Sequence, residues 1–403
     1  MNAPLEGIKV LDLSQFLSGP RCTQLLADFG AEVVKLEPPI GEAMRLLMLP
    51  VKGMDRSLSN WHRNKKGITL DIRHPKGKEI FLKLVPHFDV LVENLAPKTL
   101  DKIGLGYEEL KKVNPKLIYC SITGFGREGP KSERVAFDLI AQATAGILSA
   151  MGIPDRVHPV FIGDLVSGAY AAYAILLALR WRDKTGEGQF IDVSMQDVLY
   201  FHNFLAIDKR SVDECGLREE LQKAMGGTFT DFFQGRKGAP FWSIYQAKDG
   251  YIAVVFLTDA QWKRICNIIG HPELADDPKF ANVILRVKHR EEYRHYFEEW
   301  MKERTVEEIE KILVENRIPC GPVADADMVN NDPHLITRGM ISWCEDPVYG
   351  KVAVPGIPIK LSRSPGKIIR SGPHLGEHNE EIYGKYLGVS PEDLKELKSQ
   401  GII

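Results

Sequence analysis

Cysteine is scarce in this chain, and no two cysteines are spaced to share a metal ion. Six occur in 403 residues, at positions 22, 120, 215, 266, 320 and 344, and none belongs to a C-x-x-C motif. This usage argues against a disulfide framework and against a zinc ribbon. We therefore expect reduced thiols, a cytoplasmic location and no bound metal.

An excess of charge of either sign is also missing. The 52 Lys and Arg residues face 54 Asp and Glu residues, for a formal net charge of −2, so we expect neither nucleic-acid nor membrane binding. The first fifteen residues lack the charged and apolar segments of a secretory signal. The window 161–181 is apolar enough for a membrane span, but Asp164 and its many small residues predict a buried helix.

Three common catalytic motifs are absent. The chain has no G-x-x-x-x-G-K-[ST] loop, no H-E-x-x-H motif and no serine within G-x-S-x-G, which disfavours nucleotide hydrolysis, zinc chemistry and serine hydrolysis. His374 and His378, in HLGEH, have a metal-like spacing. Their Gly and Pro neighbours predict a loop, so we do not expect them to bind metal.

Strand and helix patterns alternate through the first two hundred residues. Short apolar runs are separated by amphipathic segments; the runs include IKVLDLS, AEVVKLE, DVLVENL and KLIYCSITG. This alternation predicts an α/β fold with a Rossmann-like parallel sheet, followed by a smaller α+β domain. The predicted parts are the start of the large domain (1–204), a linker (205–224), the small domain (225–325) and a return linker with the rest of the large domain (326–403).

Two loops are candidates for ligand binding. RNKK at 63–66 is either a solvated turn or a phosphate clamp whose allies from other loops are Lys102, Arg127, Lys131 and Arg134. GFGREG at 124–129 matches G-x-G-x-x-G after a strand, but Pro130 follows where a dinucleotide-binding helix would begin. We expect a plain turn or a loop close to another ligand, and not NAD or FAD binding.

Asp164 begins the most apolar run of the chain, in FIGDLVSGAYAAY. A carboxylate here fits a helix N-cap, where it accepts from unpaired N–H groups at the positive end of the helix dipole. It also fits a nucleophile, because the same position would keep an enclosed carboxylate ionised for covalent catalysis. This stretch alone leaves both interpretations open.

Long motifs in a fixed order resemble the family III CoA-transferases, also named for carnitine and bile-acid CoA-transferases. The resemblance runs from Pro4 to the C-terminus. Gly163, Asp164 and Gly168 match the family's G-D-x-x-x-G block, whose Asp is the nucleophile. Other matching stretches are LEGIKVLDLSQFLSGPRCTQLLADFGAEVVKLEPP, NKKGITLDI, DVLVENLAP, LGYEELKKVNPKLIYCSITGFGREGP, FDLIAQATAG, KTGEGQFIDVSMQD, IPCGPV and LGEHNEEIYG.

The resemblance implies an interlocked homodimer or heterodimer that acts on an acyl-CoA and a carboxylic acid, without a permanently bound cofactor. It implies that Lys65 contacts a CoA phosphate and that other residues lie beside CoA or the reacting centre, namely Gln15, Phe16, Asn94, Leu95 and Lys102. The glycine loop completes this candidate set because its backbone N–H groups suit an oxyanion; its residues are Gly124, Phe125, Gly126 and Arg127.

Two alternatives within the family stay open. A 2-methylacyl-CoA racemase would pair its Asp with a His just before the Asp of FDLIAQ, but Phe137 stands there, so two-base chemistry lacks a partner. Some members are pairs of unlike subunits, one without the nucleophile, and Asp164 fits the active subunit.

Aromatic residues offer a hint about the acceptor acid. They fit either core packing or a bulky aromatic acid such as benzylsuccinate, with succinyl-CoA as donor. These residues are Phe201, Phe204, Phe229, Phe232, Phe233, Phe241, Trp242 and Tyr245.

Overall fold

A computed structural model describes residues 3–48, 53, 57–153, 155–157, 159–225 and 240–403. Packing divides the chain into two compact units. The first is built from both ends of the chain and comprises Met1–Ala145, Val157–His202 and Asp332–Ile403. The second comprises Gly146–Arg156 and Asn203–Asn331.

A six-stranded parallel sheet forms the centre of the first unit. Its spatial order is β3-β2-β1-β4-β5-β6, and Val10 of the first strand is in register with Val33 on one side and Val90 on the other. This is the doubly wound order, which reverses direction between β1 and β4. The strands are β1 (Lys9–Asp12), β2 (Glu32–Glu37), β3 (Lys66–Thr69), β4 (Val90–Glu93), β5 (Ile118–Thr123) and β6 (Phe190–Ser194).

Helices surround this sheet and make up most of the second unit. In chain order they are α1 (Ser18–Asp28), α2 (Ala43–Met48), α3 (Ser59–His62), α4 (Pro75–Leu84), α5 (Thr99–Lys102), α6 (Tyr107–Val113), α7 (Asp138–Thr144), α8 (Ile147–Ala150), α9 (Ile162–Thr185), α10 (Met195–His202), α11 (Phe204–Glu214), α12 (Arg218–Met225), α13 (Asp259–Ile268), α14 (Glu273–Asp276), α15 (Val283–Lys288), α16 (Arg290–Lys302), α17 (Val306–Glu315), α18 (Ala326–Asn330), α19 (Pro333–Thr337), α20 (Asn379–Leu387) and α21 (Pro391–Ser399).

Helix α9 is the longest helix of the described residues, with 24 residues. Among those residues, it is also the one helix long and apolar enough to cross a membrane by length and composition. It packs against α1, α7, α10 and β5, so the expected burial holds for one face. The opposite face exposes apolar side chains, including Tyr173, Leu177 and Trp181.

The second unit contains a three-stranded antiparallel sheet of β7 (Trp242–Gln246), β8 (Tyr251–Val255) and β9 (Cys320–Pro322). The β7–β8 hairpin turns at 248–250. Its core buries Phe241 and Tyr245, two of the aromatic residues considered for the acceptor. Phe201, Phe204 and Trp242 are exposed, and Phe229, Phe232 and Phe233 lie outside the described residues.

Helices α11 and α12 occupy the stretch 205–224, where the sequence suggested a linker. Their exposed faces carry ion pairs one turn apart, Lys209 with Asp213 and Arg210 with Glu214. Such pairs support a helix without an apolar period, which explains why the apolar residues of this stretch do not show a clear helical spacing. A further hairpin in the first unit joins β10 (Ile341–Asp346) to β11 (Gly350–Pro355).

Candidate active site

The candidate site lies at the carboxyl edge of the parallel sheet. The loops that follow β1, β4 and β5 meet there, beside the reversal in strand order where doubly wound folds bind ligands. They enclose a cavity of about 450 Å³. Its lining residues are Gln15, Phe16, Ser18, Arg73, Asn94, Leu95, Ala96, Pro97, Thr99, Ile122, Thr123, Gly124, Arg134, Val135, Ala136, Phe137, Asp164 and Met195.

Asp164 is the third residue of α9 and not its N-cap. The N-cap position belongs to Phe161, whose side chain makes no capping hydrogen bond. The Asp164 N–H instead donates to Oδ1 of Asp138, at 3.1 Å. Gly163 is required for this approach, because a Cβ there would lie 2.9 Å from the same Oδ1 atom. The N-cap interpretation of Asp164 is therefore wrong. The carboxylate that accepts a hydrogen bond from the first turn of α9 belongs to Asp138.

Burial is the main cause that raises the pKa of the Asp164 carboxyl to about 7; the nearby Asp138 carboxylate also raises this pKa, and the Ser18 side chain lowers it. The helix N-terminus favours the ionised form of Asp164, but burial and a like charge oppose it and raise the pKa. Asp138 is 5% exposed and accepts from Nε2 of Gln142 at 2.5 Å.

The loop after β1 is clamped by Asn94. Its Oδ1 accepts from the N–H of Gln15 at 2.7 Å, and its Nδ2 donates to the carbonyl of Gln15 at 2.7 Å and to Oγ of Ser18 at 3.0 Å. The resemblance placed Gln15 at the reacting centre and Asn94 and Leu95 beside CoA, and all three residues line the cavity. Asn94 thus orders the cavity wall as well as lining it.

Phe16 has an unusual backbone conformation. Its φ of 58° lies in the left-handed region, which costs a residue with a side chain of order 1 kcal/mol or more. Oε2 of Glu42 stabilises it by accepting from the Phe16 N–H at 2.9 Å. The ring of Phe16 meets the ring of Phe137 edge to face at 5.2 Å, and both rings line the cavity.

Lys65 does not lie in this cavity, contrary to the expectation of a phosphate contact. Its side chain is fully buried and donates to Oδ2 of Asp12 at 2.9 Å and to the carbonyl of Pro20 at 3.0 Å. A side chain without exposed surface has no access to a ligand. The other cations of the RNKK segment are also paired, Arg63 with Asp28 and Lys66 with Glu32. The segment is therefore neither a phosphate clamp nor a solvated turn.

Only one residue of the glycine loop lines the cavity. Gly124 does so, and it must be glycine because a Cβ would lie 2.4 Å from Cβ of Ala136. Phe125 is buried, and Gly126 provides the positive φ of the turn. The guanidinium of Arg127 pairs with Asp101 at 2.6 Å. The loop therefore packs against its neighbours and reaches the cavity at Gly124.

Lys102 is exposed at the end of α5 and does not line the cavity described here. A second cavity of about 490 Å³ lies at the ends of β1 to β4 and shares lining residues with the first, namely Gln15, Arg73, Leu95 and Thr99. Sequence reasoning missed Arg73, Ser18 and Asp138. Arg73 could have been found from its position just after β3, since the loops after parallel strands meet at one edge.

The HLGEH segment is structural in this protein. Nδ1 of His378 accepts from the N–H of Gly67 at 3.1 Å, and Gly376 adopts a positive φ, as expected for a loop. Burial lowers the pKa of His378, and the neighbouring Arg370 lowers it further. Within the described residues, no cluster of three or more His, Cys, Asp or Glu side chains could hold a metal ion.

The sequence model of CoA-transferase family III matches residues 5–379. Succinyl-CoA–D-citramalate CoA-transferase of Chloroflexus aurantiacus is 36% identical over 99% of this chain and 98% of its own length. The beta subunit of succinyl-CoA–L-malate CoA-transferase from the same organism is 34% identical, with the same coverage. Formyl-CoA:oxalate CoA-transferase of a Bradyrhizobium species is 36% identical over 100% of this chain and 98% of its own.

The fold is also found in a solved structure. A CaiB/BaiF family protein from Brucella suis superposes with a TM-score of 0.78 at 32% identity, covering 96% of this chain and 100% of that one. The family match spans the sheet, the first cavity and the block that carries Asp164. The chain therefore belongs to CoA-transferase family III, and it is a CoA-transferase.

Proposed function

We propose that this CoA-transferase moves CoA from succinyl-CoA to a carboxylic acid through covalent intermediates on Asp164. The observation that carries the proposal is the position of Asp164, whose carboxyl lines the cavity at the sheet reversal. Its pKa of about 7 leaves a large ionised fraction at neutral pH, and that fraction is also more basic than an ordinary aspartate. Both properties suit a carboxylate nucleophile.

The reaction proceeds by exchange of activated carbonyl groups. An Asp164 oxygen attacks the thioester carbon of succinyl-CoA, and the C–S bond breaks to give a mixed anhydride and the CoA thiolate. The thiolate attacks the aspartyl carbonyl, which releases succinate and leaves an aspartyl-CoA thioester. The acceptor carboxylate attacks this thioester, and the returning thiolate takes the acceptor's acyl group and frees Asp164. No net hydrolysis occurs, so no ATP is needed.

Arginine side chains support CoA binding in the two cavities. Arg73 lines both cavities and Arg134 lines the first, and neither forms an ion pair with the described part of the chain. Guanidinium groups bind phosphate oxygens well. We propose that they replace Lys65 as the phosphate contacts, with Gln15, Asn94 and Leu95 beside the pantetheine arm.

We propose a C4 dicarboxylic acid with an apolar substituent as the acceptor. Two relatives are named for citramalate and malate, which both have a four-carbon dicarboxylate backbone, and benzylsuccinate shares that backbone. The rings of Phe16 and Phe137 on the cavity wall suit an apolar or aromatic substituent. A racemase is less well supported, because Phe137 occupies the position where that chemistry needs a histidine.

The assembly that we propose is an interlocked dimer of two copies in the cytoplasm. Exposed apolar residues on α9 support an interface, and all six cysteines are free thiols, as in a reducing compartment. A heterodimer is the alternative, since one relative is named as a beta subunit.

The test is to trap the intermediate. The purified protein is incubated with succinyl-CoA and no acceptor, quenched with hydroxylamine, and digested for peptide mass spectrometry. We expect a hydroxamate on Asp164 and none on Asp138. Asp164→Ala should lose both the label and the transfer of CoA to malate, citramalate and benzylsuccinate, while its thermal unfolding stays close to that of wild type.

Transfer by Asp164→Ala at the wild-type rate would contradict the nucleophile assignment. Efficient labelling of Asp164 with transfer to oxalate, but to none of the C4 acids, would retain the mechanism and contradict the proposed acceptor class.

A further inference from the structure

Glu42 is a buried carboxylate that contacts the loop after β1. It directly precedes α2 and is 2% exposed. Its Oε2 atom accepts from the backbone N–H of Phe16 at 2.9 Å. Its Oε1 atom lies 3.0 Å from Nε2 of His62 and 3.5 Å from Nζ of Lys35. Each oxygen therefore has its own partners, and these fix the orientation of the carboxylate.

The direction of the hydrogen bond between His62 and Glu42 follows from Lys65. The ammonium group of Lys65 can only donate, so Nδ1 of His62, at 3.3 Å, accepts from it. Nε2 of His62 then carries the ring proton and donates to Oε1 of Glu42. Burial opposes the charge of Glu42, but the positive charge of Lys35 and this hydrogen bond hold its pKa well below its usual range. Glu42 is therefore a carboxylate whose second oxygen is available to Phe16.

Two consecutive residues of the loop are held by side chains from other parts of the first unit. Asn94 holds Gln15 at both its N–H and its carbonyl, and Glu42 holds the next residue, Phe16, at its N–H. A residue with a side chain keeps a φ of 58° only where its surroundings enforce it. The hydrogen bond to Glu42 is the contact that enforces it at Phe16.

We infer that Phe16 selects the acceptor acid by its apolar substituent, and that Glu42 is a positioning residue that holds the Phe16 ring in place. The inference rests on the proposed function, because it concerns the acid that takes CoA from Asp164. The rings of Phe16 and Phe137 meet edge to face at 5.2 Å, and both line the cavity that Asp164 lines. An apolar substituent of the acid is stabilised against this wall, whereas a hydroxyl group gains nothing from it.

The backbone conformation of Phe16 sets the direction of its ring. At positive φ the Cα–Cβ bond leaves the chain in a different direction than at the negative φ that residues with a side chain prefer. Without Glu42 the Phe16 N–H loses its acceptor, and the residue can return to negative φ with its ring away from Phe137. The attack on the Asp164 thioester does not need this ring. Loss of Glu42 should therefore change the choice of acid more than the chemistry of transfer.

The test measures kcat/KM for benzylsuccinate and for malate, with succinyl-CoA as donor. Glu42→Leu has no acceptor for the Phe16 N–H. We expect its kcat/KM for benzylsuccinate to fall roughly tenfold, the size of a small change in an apolar pocket, and its kcat/KM for malate to stay within about threefold. Both acids use the same donor, so a general loss of CoA binding or of folded protein would lower both values equally. Phe16→Gly should lose the same preference, because it removes the ring.

Asp346→Leu is the matched control. Asp346 is also a buried carboxylate that accepts from backbone N–H groups, those of Val348 and Tyr349. It also faces a histidine, His374, at 3.6 Å, but it lines neither of the two cavities. This variant should keep the wild-type ratio of the two kcat/KM values.

Glu42→Gln tests the contact with the Phe16 N–H directly. Its amide oxygen can still accept from this N–H, so its ratio should stay close to that of wild type. Three results would each overturn the inference: a wild-type ratio in Glu42→Leu, an equal change of ratio in Asp346→Leu, or a Phe16→Gly protein that keeps the preference for benzylsuccinate. The last result does not require Glu42→Leu to fold.

Failure of this inference can be told apart from failure of the proposed function. If wild type transfers CoA to neither acid, the acceptor class and this inference fail together. Transfer to malate alone would overturn the inference and retain the C4 backbone of the acceptor. If Asp164→Ala stays active while the ratio falls as expected in Glu42→Leu, the nucleophile is wrong and the selection of the acid by Phe16 stands.

Discussion

At the scale of single residues, two carboxyl groups are coupled through one backbone N–H. Asp138 accepts from the Asp164 N–H, and its charge helps burial to raise the pKa of Asp164 to about 7. Because the proposed nucleophile acts as the carboxylate, we expect activity to be lost as the pH falls through this value. Removal of the Asp138 charge should therefore shift the loss to lower pH.

The variant for this prediction is Asp138→Asn, which retains an oxygen for the Asp164 N–H. We expect the acid limb of kcat to move down by roughly one pH unit. Asp183→Asn is the matched control, since it removes a charge from the exposed far end of the same helix, roughly 28 Å along its axis. An acid limb that stays near 7 in Asp138→Asn, or moves equally in the control, contradicts the coupling.

The fate of Lys65 illustrates what the sequence leaves open at this scale. The position of Asp164 follows from a motif that lies within one segment, so the residue could be located in advance. The pairing of Lys65 with Asp12 joins residues 53 positions apart, and no local pattern encodes it. The expected phosphate contact of Lys65 was wrong for the same reason. A sequence shows the charge of a side chain, but it does not show whether that side chain is accessible to a ligand.

At the scale of elements, the start of α1 and the start of α9 are held together by a glycine contact. A Cβ on Gly168 would lie 2.4 Å from the Ser18 carbonyl oxygen and 3.0 Å from Cβ of Arg21. In an isolated helix Ala is favoured over Gly by about 1 kcal/mol. Gly168→Ala therefore tests which effect is larger, since propensity and packing predict opposite signs.

We expect packing to dominate, with a loss of roughly 1–3 kcal/mol in the free energy of unfolding. CoA transfer should also fall, because the displaced start of α9 carries Asp164. Gly384→Ala is the control, because a Cβ at this exposed position in α20 has no neighbour closer than 3.9 Å, so propensity alone should raise stability. Urea unfolding measures the free energy of unfolding of both variants. A Gly168→Ala protein that is more stable than wild type would refute the packing argument.

The parallel sheet was the most predictable element. Its strands are short apolar runs separated by helices, and the expected Rossmann-like order follows from the right-handed crossovers between them. Helices α11 and α12 were missed because exposed ion pairs stabilise them without an apolar stripe. Helices α15, α16 and α17 follow one another closely along the chain, and the breaks between them lie at His289 and Thr305. The capping box at Thr305 was the readable signal of that break.

At the scale of the whole molecule, one face of α9 leaves apolar side chains exposed. Tyr173, Leu177 and Trp181 follow one another every four residues and are each more than half exposed. This stripe is longer than the isolated apolar residues of an ordinary surface. The dimer that we propose would cover it, and the chain alone should then have twice its mass of 45.3 kDa in solution.

Light scattering coupled to size-exclusion chromatography measures this mass. A charge in the stripe, Leu177→Glu, should shift the protein toward the single-chain mass, because burial of an unpaired carboxylate opposes association. Asp183→Lys also changes the charge of α9, but on a different face, and should leave the dimer intact. A wild-type protein of 45.3 kDa that transfers CoA only after a related chain is added would replace the homodimer with the heterodimer. Equal masses for Leu177→Glu and wild type would place the interface elsewhere, because a buried stripe could not accept the added charge.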